Sequence, residues 1–259
     1  MTRSVFITGA ARGIGEATAL RLAAEGWLVG AYDISPDIGV LSAENVHTGH
    51  IDVTSPESWE AALADFAYAA GGIDVVVNNA GTLYGGSFVD DGSYEQDAAL
   101  IDVNVKGTCY GMRAAYPYLR SRGGGKVINL SSAASIYGTP EMATYSATKF
   151  AVRGITEALE VEWAGQNIAV NSVVPLYADT GMLDGVMTNG MKRLGVSLTA
   201  DDIASVIVQL ASSPHRSGGA VHHPVGFKTT LMNACSQVTP ARLLRYVNSR
   251  LTSGVKISF

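Results

Sequence analysis

Short apolar runs alternate with helical patterns through most of the chain, and the runs are apolar on both faces; together these features predict a doubly wound α/β fold of the Rossmann type. Val75-Val76-Val77 and Val127-Ile128 show no polar face, as expected where helices cover both sides of a parallel sheet. Right-handed crossovers between successive strands follow from the alternation.

The elements follow in order. Residues 4–8 are a strand, and residues 13–26 have helical spacing that ends on a glycine suited to a C-cap. Residues 27–33 and 46–53 read as strands. Thr54-Ser55-Pro56-Glu57 then has capping-box spacing with a proline in the first turn, opening a helix to about Ala70. A strand over 73–78 precedes a long helix over 94–120, and Gly123-Gly124-Gly125 turns the chain into a strand over 126–131. A helix over 144–164, a strand over 168–174, a helix over 198–212 and a last strand over 221–225 complete the series. With no repeat, low-complexity tract or linker, one catalytic domain is expected over 1–226. Residues 227–259 are expected to form a tail.

Composition narrows the function. Hydrophobic residues at 47% and charged residues at 16% suit a buried two-sided sheet and exclude a disordered or fibrous chain. A net charge of −5 argues against a nucleic-acid binder. The charge is uneven: residues 203–259 hold six basic side chains (Arg216, Lys228, Arg242, Arg245, Arg250, Lys256) and no acidic one, so the remainder carries −11. Cys109 and Cys235 stand far apart, which fits neither a disulfide framework nor a zinc site and suits a reduced, cytoplasmic setting. No run approaches the ~18 apolar residues of a membrane span.

The first strand runs into Thr8-Gly9-Ala10-Ala11-Arg12-Gly13-Ile14-Gly15 at the start of a helix. A Gly-rich turn in that context brings backbone N–H groups and a helix N-terminus up to a pyrophosphate. Asp33 ends the second strand 18 residues beyond Gly15, where an acidic residue takes the adenosine ribose hydroxyls, which points to NAD. Arg12 argues the other way, since a guanidinium there pairs with a 2′-phosphate. Asp52-Val53 closes the third strand at the ligand-binding edge; Asp52 either contacts the adenine or makes a local turn.

With Asn78-Asn79-Ala80-Gly81, Asn104, Ser132 and Tyr145-x3-Lys149, the chain resembles the short-chain dehydrogenase/reductase family. The resemblance runs from about Val5 to Thr180 and more weakly to about Val225. Each motif is weak alone; five in the family's order and spacing are specific. The resemblance implies that Thr8, Gly9, Gly13, Ile14 and Gly15 hold the dinucleotide with Asn79, Ala80, Gly81, Pro175 and Thr180, and that Thr180 meets the nicotinamide carboxamide. It implies a tetrad of Asn104, Ser132, Tyr145 and Lys149, and a homodimer or homotetramer formed through the helices carrying Asn104 and Tyr145. Two departures stand out. Pro175-Leu176 replaces the family's Pro-Gly, and Val221-His222-His223-Pro224-Val225-Gly226 replaces its late Asp-Gly-Gly.

These residue types suit hydride transfer between NAD(H) and a secondary alcohol or ketone. A phenol near pKa ~10 must be lowered to act as an acid/base at working pH. Tyr145 and Lys149 share a helix face, and an ammonium ~4 Å from a phenolate contributes about 4 kcal/mol at an effective dielectric near 20. Ser132 positions the substrate oxygen. By resemblance, Lys149 also binds ribose, and Asn104 fixes a water that links Lys149 to solvent. An NADP-dependent ketone or ketoacyl reductase is the alternative, and a non-catalytic dinucleotide sensor is a rival that retention of Tyr145 and Lys149 argues against.

Residues 181–200 are expected to form a lid. Met182, Leu183, Met187, Met191 and Leu194 give it an apolar face that either meets a sizeable apolar substrate or packs on the core. His222-His223 has no third metal ligand in view. Residues 240–251 read as a basic helix with a stripe of Leu243, Leu244, Val247 and Leu251. It is expected to dock on the acidic body or a sister subunit rather than on an anionic membrane.

Overall fold

The computed structural model describes residues 2–38, 43–183, 185–214 and 219–253, so Arg216 and Lys256 of the basic segment, Asp184 of the lid and the last residues of the tail lie outside the described residues. The chain runs β1 (Ser4–Thr8), α1 (Gly13–Ala24), β2 (Leu28–Asp33), β3 (Val46–His50), α2 (Pro56–Ala70), β4 (Val75–Asn78), α3 (Tyr94–Ile101), a π-helical segment (Asp102–Gly107), α4 (Thr108–Ser121), β5 (Gly125–Leu130), α5 (Ala143–Trp163) and β6 (Ile168–Val174). It continues through β7 (Ala178–Asp179), α6 (Asn189–Leu194), β8 (Leu198–Thr199), α7 (Ala200–Ser212), β9 (His222–Pro224), α8 (Gly226–Val238) and α9 (Ala241–Thr252).

Seven strands form one parallel sheet in the order β3-β2-β1-β4-β5-β6-β9, while β7 and β8 pair separately. The order reverses between β1 and β4, and a crevice opens there beyond the carboxyl ends of the strands. Alternation along β1 shows how the core is built: Val5 and Ile7 face one side with Val29, Val77 and Ile207, and Phe6 faces the other with Trp59, Phe66 and Val127. Both layers are fully buried, which is why the strands carry no polar face.

The predicted helix signals are seen with small shifts. Ser55, not Thr54, caps α2 by accepting from Ser58 N at 3.1 Å, and Gly71 closes the helix in the left-handed region at φ 73°. Thr199 and Asp202 form a reciprocal capping box on α7. The third strand is shorter than predicted, since Ile51–Val53 run past the sheet edge and only Ile51 N still bonds across, to Asp33 O. The predicted helix over 94–120 is interrupted by the π-helical segment, and α8 was not predicted at all.

The tail docks on its own domain, but not as expected. Among the described residues no ion pair joins it to an acidic side chain. In α9, Ser249 and Thr252 pack inward and Leu244 and Leu251 of the expected stripe are half-buried, while Leu243 and Val247 are about two-fifths exposed. No helix among the described residues is long and apolar enough to cross a membrane.

Candidate active site

The Gly-rich turn is built without side chains because none fits. Gly9 and Gly13 sit at φ 67° and 62°, and a Cβ on Gly15 would lie 2.1 Å from Gly9 O. Asn79 laces this turn to β4 by donating from Nδ2 to Thr8 O and Gly9 O, both at 2.9 Å. The Thr8 hydroxyl accepts from Asn79 N and Ala80 N at 3.2 and 3.1 Å. Asn79 Oδ1 remains buried with no partner, an acceptor left over beside the cleft. Asn78 continues into the sheet through Asn129 at 2.8 Å. Gly15→Ala should open the turn, abolish dinucleotide binding and cost about 1–3 kcal/mol of stability, since overpacking against backbone cannot relax. Calorimetric titration and thermal melting check both effects.

An open cleft of about 1690 Å³ runs over this turn, lined among others by Gly9, Arg12, Asp33, Asp52, Ala80 and Thr180. Asp33 is anchored within it, each carboxylate oxygen accepting a backbone N–H: Ala11 N on one and Ser35 N on the other, both at 2.9 Å. These use two of its roughly four acceptor sites, so the group is held in place with capacity to spare. Arg12 is exposed at the cleft. Asp52, also in the cleft lining, makes a local turn: one carboxylate oxygen accepts from Thr54 N at 2.9 Å and Thr54 Oγ1 at 2.7 Å. Val53 is buried, with its carbonyl accepting from the Trp59 indole. Thr180 meets the Gly-rich turn from the far side, its carbonyl 3.0 Å from where a Gly13 Cβ would be.

A second pocket, about 760 Å³, continues from this cleft and brings together Ser132, Tyr145, Lys149, Pro175 and Thr180. Its walls include Leu83, Met142, Leu176, Tyr177, Met182 and Leu183, and among the described residues its one charged lining side chain is Lys149. Ile14 and Gly81 reach it from the dinucleotide side. Met182 and Leu183 of the lid line the pocket. Met191 packs beneath with Leu83 and Tyr145, whereas Met187 points to solvent.

The four residues of the expected tetrad converge, though not all as expected. Ser132 caps a short 3₁₀ turn, accepting from Ala134 N at 3.2 Å, and lines the pocket with Tyr145. Burial pushes Tyr145 up to about 12, against the lowering effect of Ser132. The expectation that Lys149 lowers this phenol is not met in the free chain. The Lys149 ammonium donates to Leu130 O at 2.8 Å and stands 5.5 Å from the centre of the Tyr145 ring. Burial without a carboxylate partner brings Lys149 itself down to about 8. Asn104 sits in the π-helical segment, almost wholly buried. Its amide oxygen accepts from Thr82 N at 2.9 Å, and its Nδ2 donates to Thr82 O and Thr148 Oγ1. That side chain is thus held by protein partners on both its oxygen and its nitrogen.

Sequence reasoning missed Tyr137 and Tyr177 as pocket walls, both pushed upward by burial. No local motif marks them. Tyr177 lies two residues beyond Pro175, where the departure at Leu176 was the sole signal.

Comparison with known proteins decides the kinship. The sequence profile described as short chain dehydrogenase matches residues 3–190, most of the chain, including the Gly-rich turn and the four residues of the expected tetrad. This chain belongs to the short-chain dehydrogenase family. It is therefore an oxidoreductase with a Rossmann nucleotide-binding fold. Among relatives of this short-chain dehydrogenase, a trans-4-hydroxycyclohexanecarboxylate dehydrogenase of Sinomonas cyclohexanicum is 37% identical over 226 residues, covering 80% of this chain and 85% of its own. A 3-alpha-(or 20-beta)-hydroxysteroid dehydrogenase of Mycobacterium bovis is 36% identical over 212 residues, covering 80% and 81%. A solved short chain dehydrogenase of Burkholderia cenocepacia in complex with NADP is 26% identical with a TM-score of 0.82, covering 96% of this chain and 97% of its own.

Proposed function

We propose that this short-chain dehydrogenase transfers hydride between NAD(H) and an uncharged, apolar secondary alcohol or its ketone. The observation that carries the substrate class is the pocket lining, in which, among the described residues, largely aliphatic and aromatic walls surround a single charged group, Lys149, set at the reacting end. Away from Lys149, which is engaged at the reacting end, a substrate carboxylate or an acyl-carrier phosphate would meet no countercharge among the described residues, at a desolvation cost left unrepaid. A ring alcohol of the kind acted on by the hydroxysteroid relative fits better than a cyclohexanecarboxylate or a ketoacyl group.

The dinucleotide fits the chain's own features: a turn where added Cβ atoms would collide, an unpartnered Asn79 acceptor and a fixed Asp33 carboxylate. When bound, it supplies or receives the hydride. Ser132 holds the substrate oxygen against Tyr145, and the Tyr145 hydroxyl gives that oxygen a proton in reduction or takes it in oxidation. Lys149, buried beside Tyr145, binds the ribose and lowers the phenol once its ammonium turns toward it. Asn104 is a positioning residue that fixes the Thr82 backbone under the site.

NAD follows from Asp33, whose carboxylate repels a 2′-phosphate. The NADP complex of the Burkholderia structure, together with exposed Arg12, favours the alternative of NADP use. Asp33→Ser separates the two. It also removes the acceptor of Ala11 N, so the ratio of cofactors, rather than either affinity, is the measure. A charge-assisted hydrogen bond is worth ~1.5–3 kcal/mol, so wild type should prefer NAD at least ~10-fold in kcat/KM. Asp33→Ser should erode that preference, and adding Arg12→Ala should take the NADP gain away. A wild type that prefers NADP, or a ratio unmoved by Asp33→Ser, defeats the NAD assignment.

A homodimer or homotetramer through α5 belongs to the same proposal. That helix exposes Ala147, Phe150, Ala151, Gly154, Ala158 and Val161 along one face, with Val161 79% exposed.

A further inference from the structure

The tail helices reach the pocket from behind. Met232 of α8 packs on the cluster of Ala133, Ile136 and Val174 that also carries Tyr137 and Leu176, two of the pocket walls, and its sulfur accepts from the Tyr137 hydroxyl at 3.9 Å. Asn248 of α9 donates from Nδ2 to Gly138 O at 2.8 Å, in the loop between Ser132 and Tyr145. The same helices hold lid helix α6. Lys228 Nζ donates to Leu194 O at 2.7 Å, at the carboxyl end of α6 where a cation is favoured. Arg193 Nη1 donates to Arg250 O at 2.9 Å, binding α6 to α9. Thr252 is fully buried behind Gly190, and a Cβ on Gly190 would lie 3.6 Å from Thr252 and 2.4 Å from the Tyr177 hydroxyl oxygen. Tyr177 therefore stands between lid and pocket with no room to retreat. The other end of α6 is tied to the loop before Tyr145, where Glu141 accepts from Asn189 N at 2.6 Å.

We infer that α8 and α9 are a specificity element, which fixes the width of the apolar pocket by bracing Tyr137, Leu176 and Tyr177 from outside. A pocket wall keeps its rotamers only while the layer behind it is held. Here that layer is contributed by helices beyond residues 3–190, the part of the chain the family profile matches. Lys228 and Asn248 are positioning residues that touch no reacting atom. The assignment rests on the proposal that this pocket receives the alcohol, and its test includes a readout independent of turnover.

Asn248→Asp keeps the side chain's shape and removes the donor to Gly138 O; Lys228→Met removes the donor to Leu194 O. In each, the ratio of kcat/KM for a fused-ring decalol over cyclohexanol should fall about three- to tenfold, the worth of one hydrogen bond. Activity on cyclohexanol and dinucleotide affinity should stay as in wild type, and Lys228→Arg should restore the ratio. Hydrogen exchange of the α6 amides, read without substrate, should quicken in Lys228→Met. An unchanged ratio in both variants overturns the inference, as does an equal loss on both alcohols together with weakened dinucleotide binding. A wild type inactive on both alcohols, with exchange in α6 quickened, contradicts the substrate proposal and supports the bracing.

Discussion

Tyr145→Phe is expected to lose at least about a hundredfold in kcat while binding the dinucleotide as wild type does, because general acid–base catalysis is typically worth ~10²–10⁴-fold. The ring packs among Leu83, Leu100, Ala134, Met142 and Met191, and phenylalanine preserves those contacts, so melting should hardly move. What disappears is the hydroxyl alone. Burial holds the phenol protonated at neutral pH, so the free chain is poised to donate a proton to a ketone. Oxidation requires that proton to leave, and its rate should rise with pH. Retention of more than about a tenth of wild-type kcat would remove Tyr145 from the chemistry.

Lys149→Met should damage kcat and dinucleotide affinity together, each by at least about tenfold, since one buried ammonium is assigned both the ribose and the phenol. Its loss should also show in stability. Lys149 is brought from 10.5 to about 8 on folding, so between those values the unfolded chain binds more protons than the folded one. Below about pH 8 the buried ammonium destabilises the fold in full; from pH 8 to 10.5 the penalty fades and stability rises. Lys126, also brought to about 8, adds to the same slope. Lys149→Met should therefore flatten, without abolishing, the rise in melting temperature between pH 8 and 10. A variant as steep as wild type would show that Lys149 is not the buried cation described, and a loss in kcat alone would remove its contact with ribose.

The sheet was legible because its strands are buried on both faces, so period and composition agree wherever helices cover both sides. At the edge this advantage vanished. Ile51 and Val53 are apolar and buried without being sheet, since they lie beyond the last ladder bond. The π-helical segment at Asn104 shifts the register of the long helix by a local change that apolar spacing does not record. Missed α8 carries Phe227, Leu231 and Val238 at helical spacing, but they are exposed, so the pattern did not resemble a buried face. The cofactor turn was legible for a steric reason: Gly15 is a position where any Cβ collides. The state of Tyr145 was not, because sequence spacing gives the distance to Lys149 along a helix but not the burial of both groups. The pocket walls were hidden for a similar reason. Tyr137, Tyr177 and Met232 come from three separate segments, and their convergence is a property of the packed chain.

The most direct measurement is absorbance in the reduced-nicotinamide band while the purified chain is offered uncharged ring alcohols with NAD and, separately, with NADP. Cofactor reduction should appear with the apolar alcohols, run at least ~10-fold faster in kcat/KM with NAD, and vanish in Tyr145→Phe. Carboxylated ring alcohols should react poorly by comparison. No reduction with either cofactor, or equal reduction by wild type and Tyr145→Phe, would contradict the proposed chemistry at its centre.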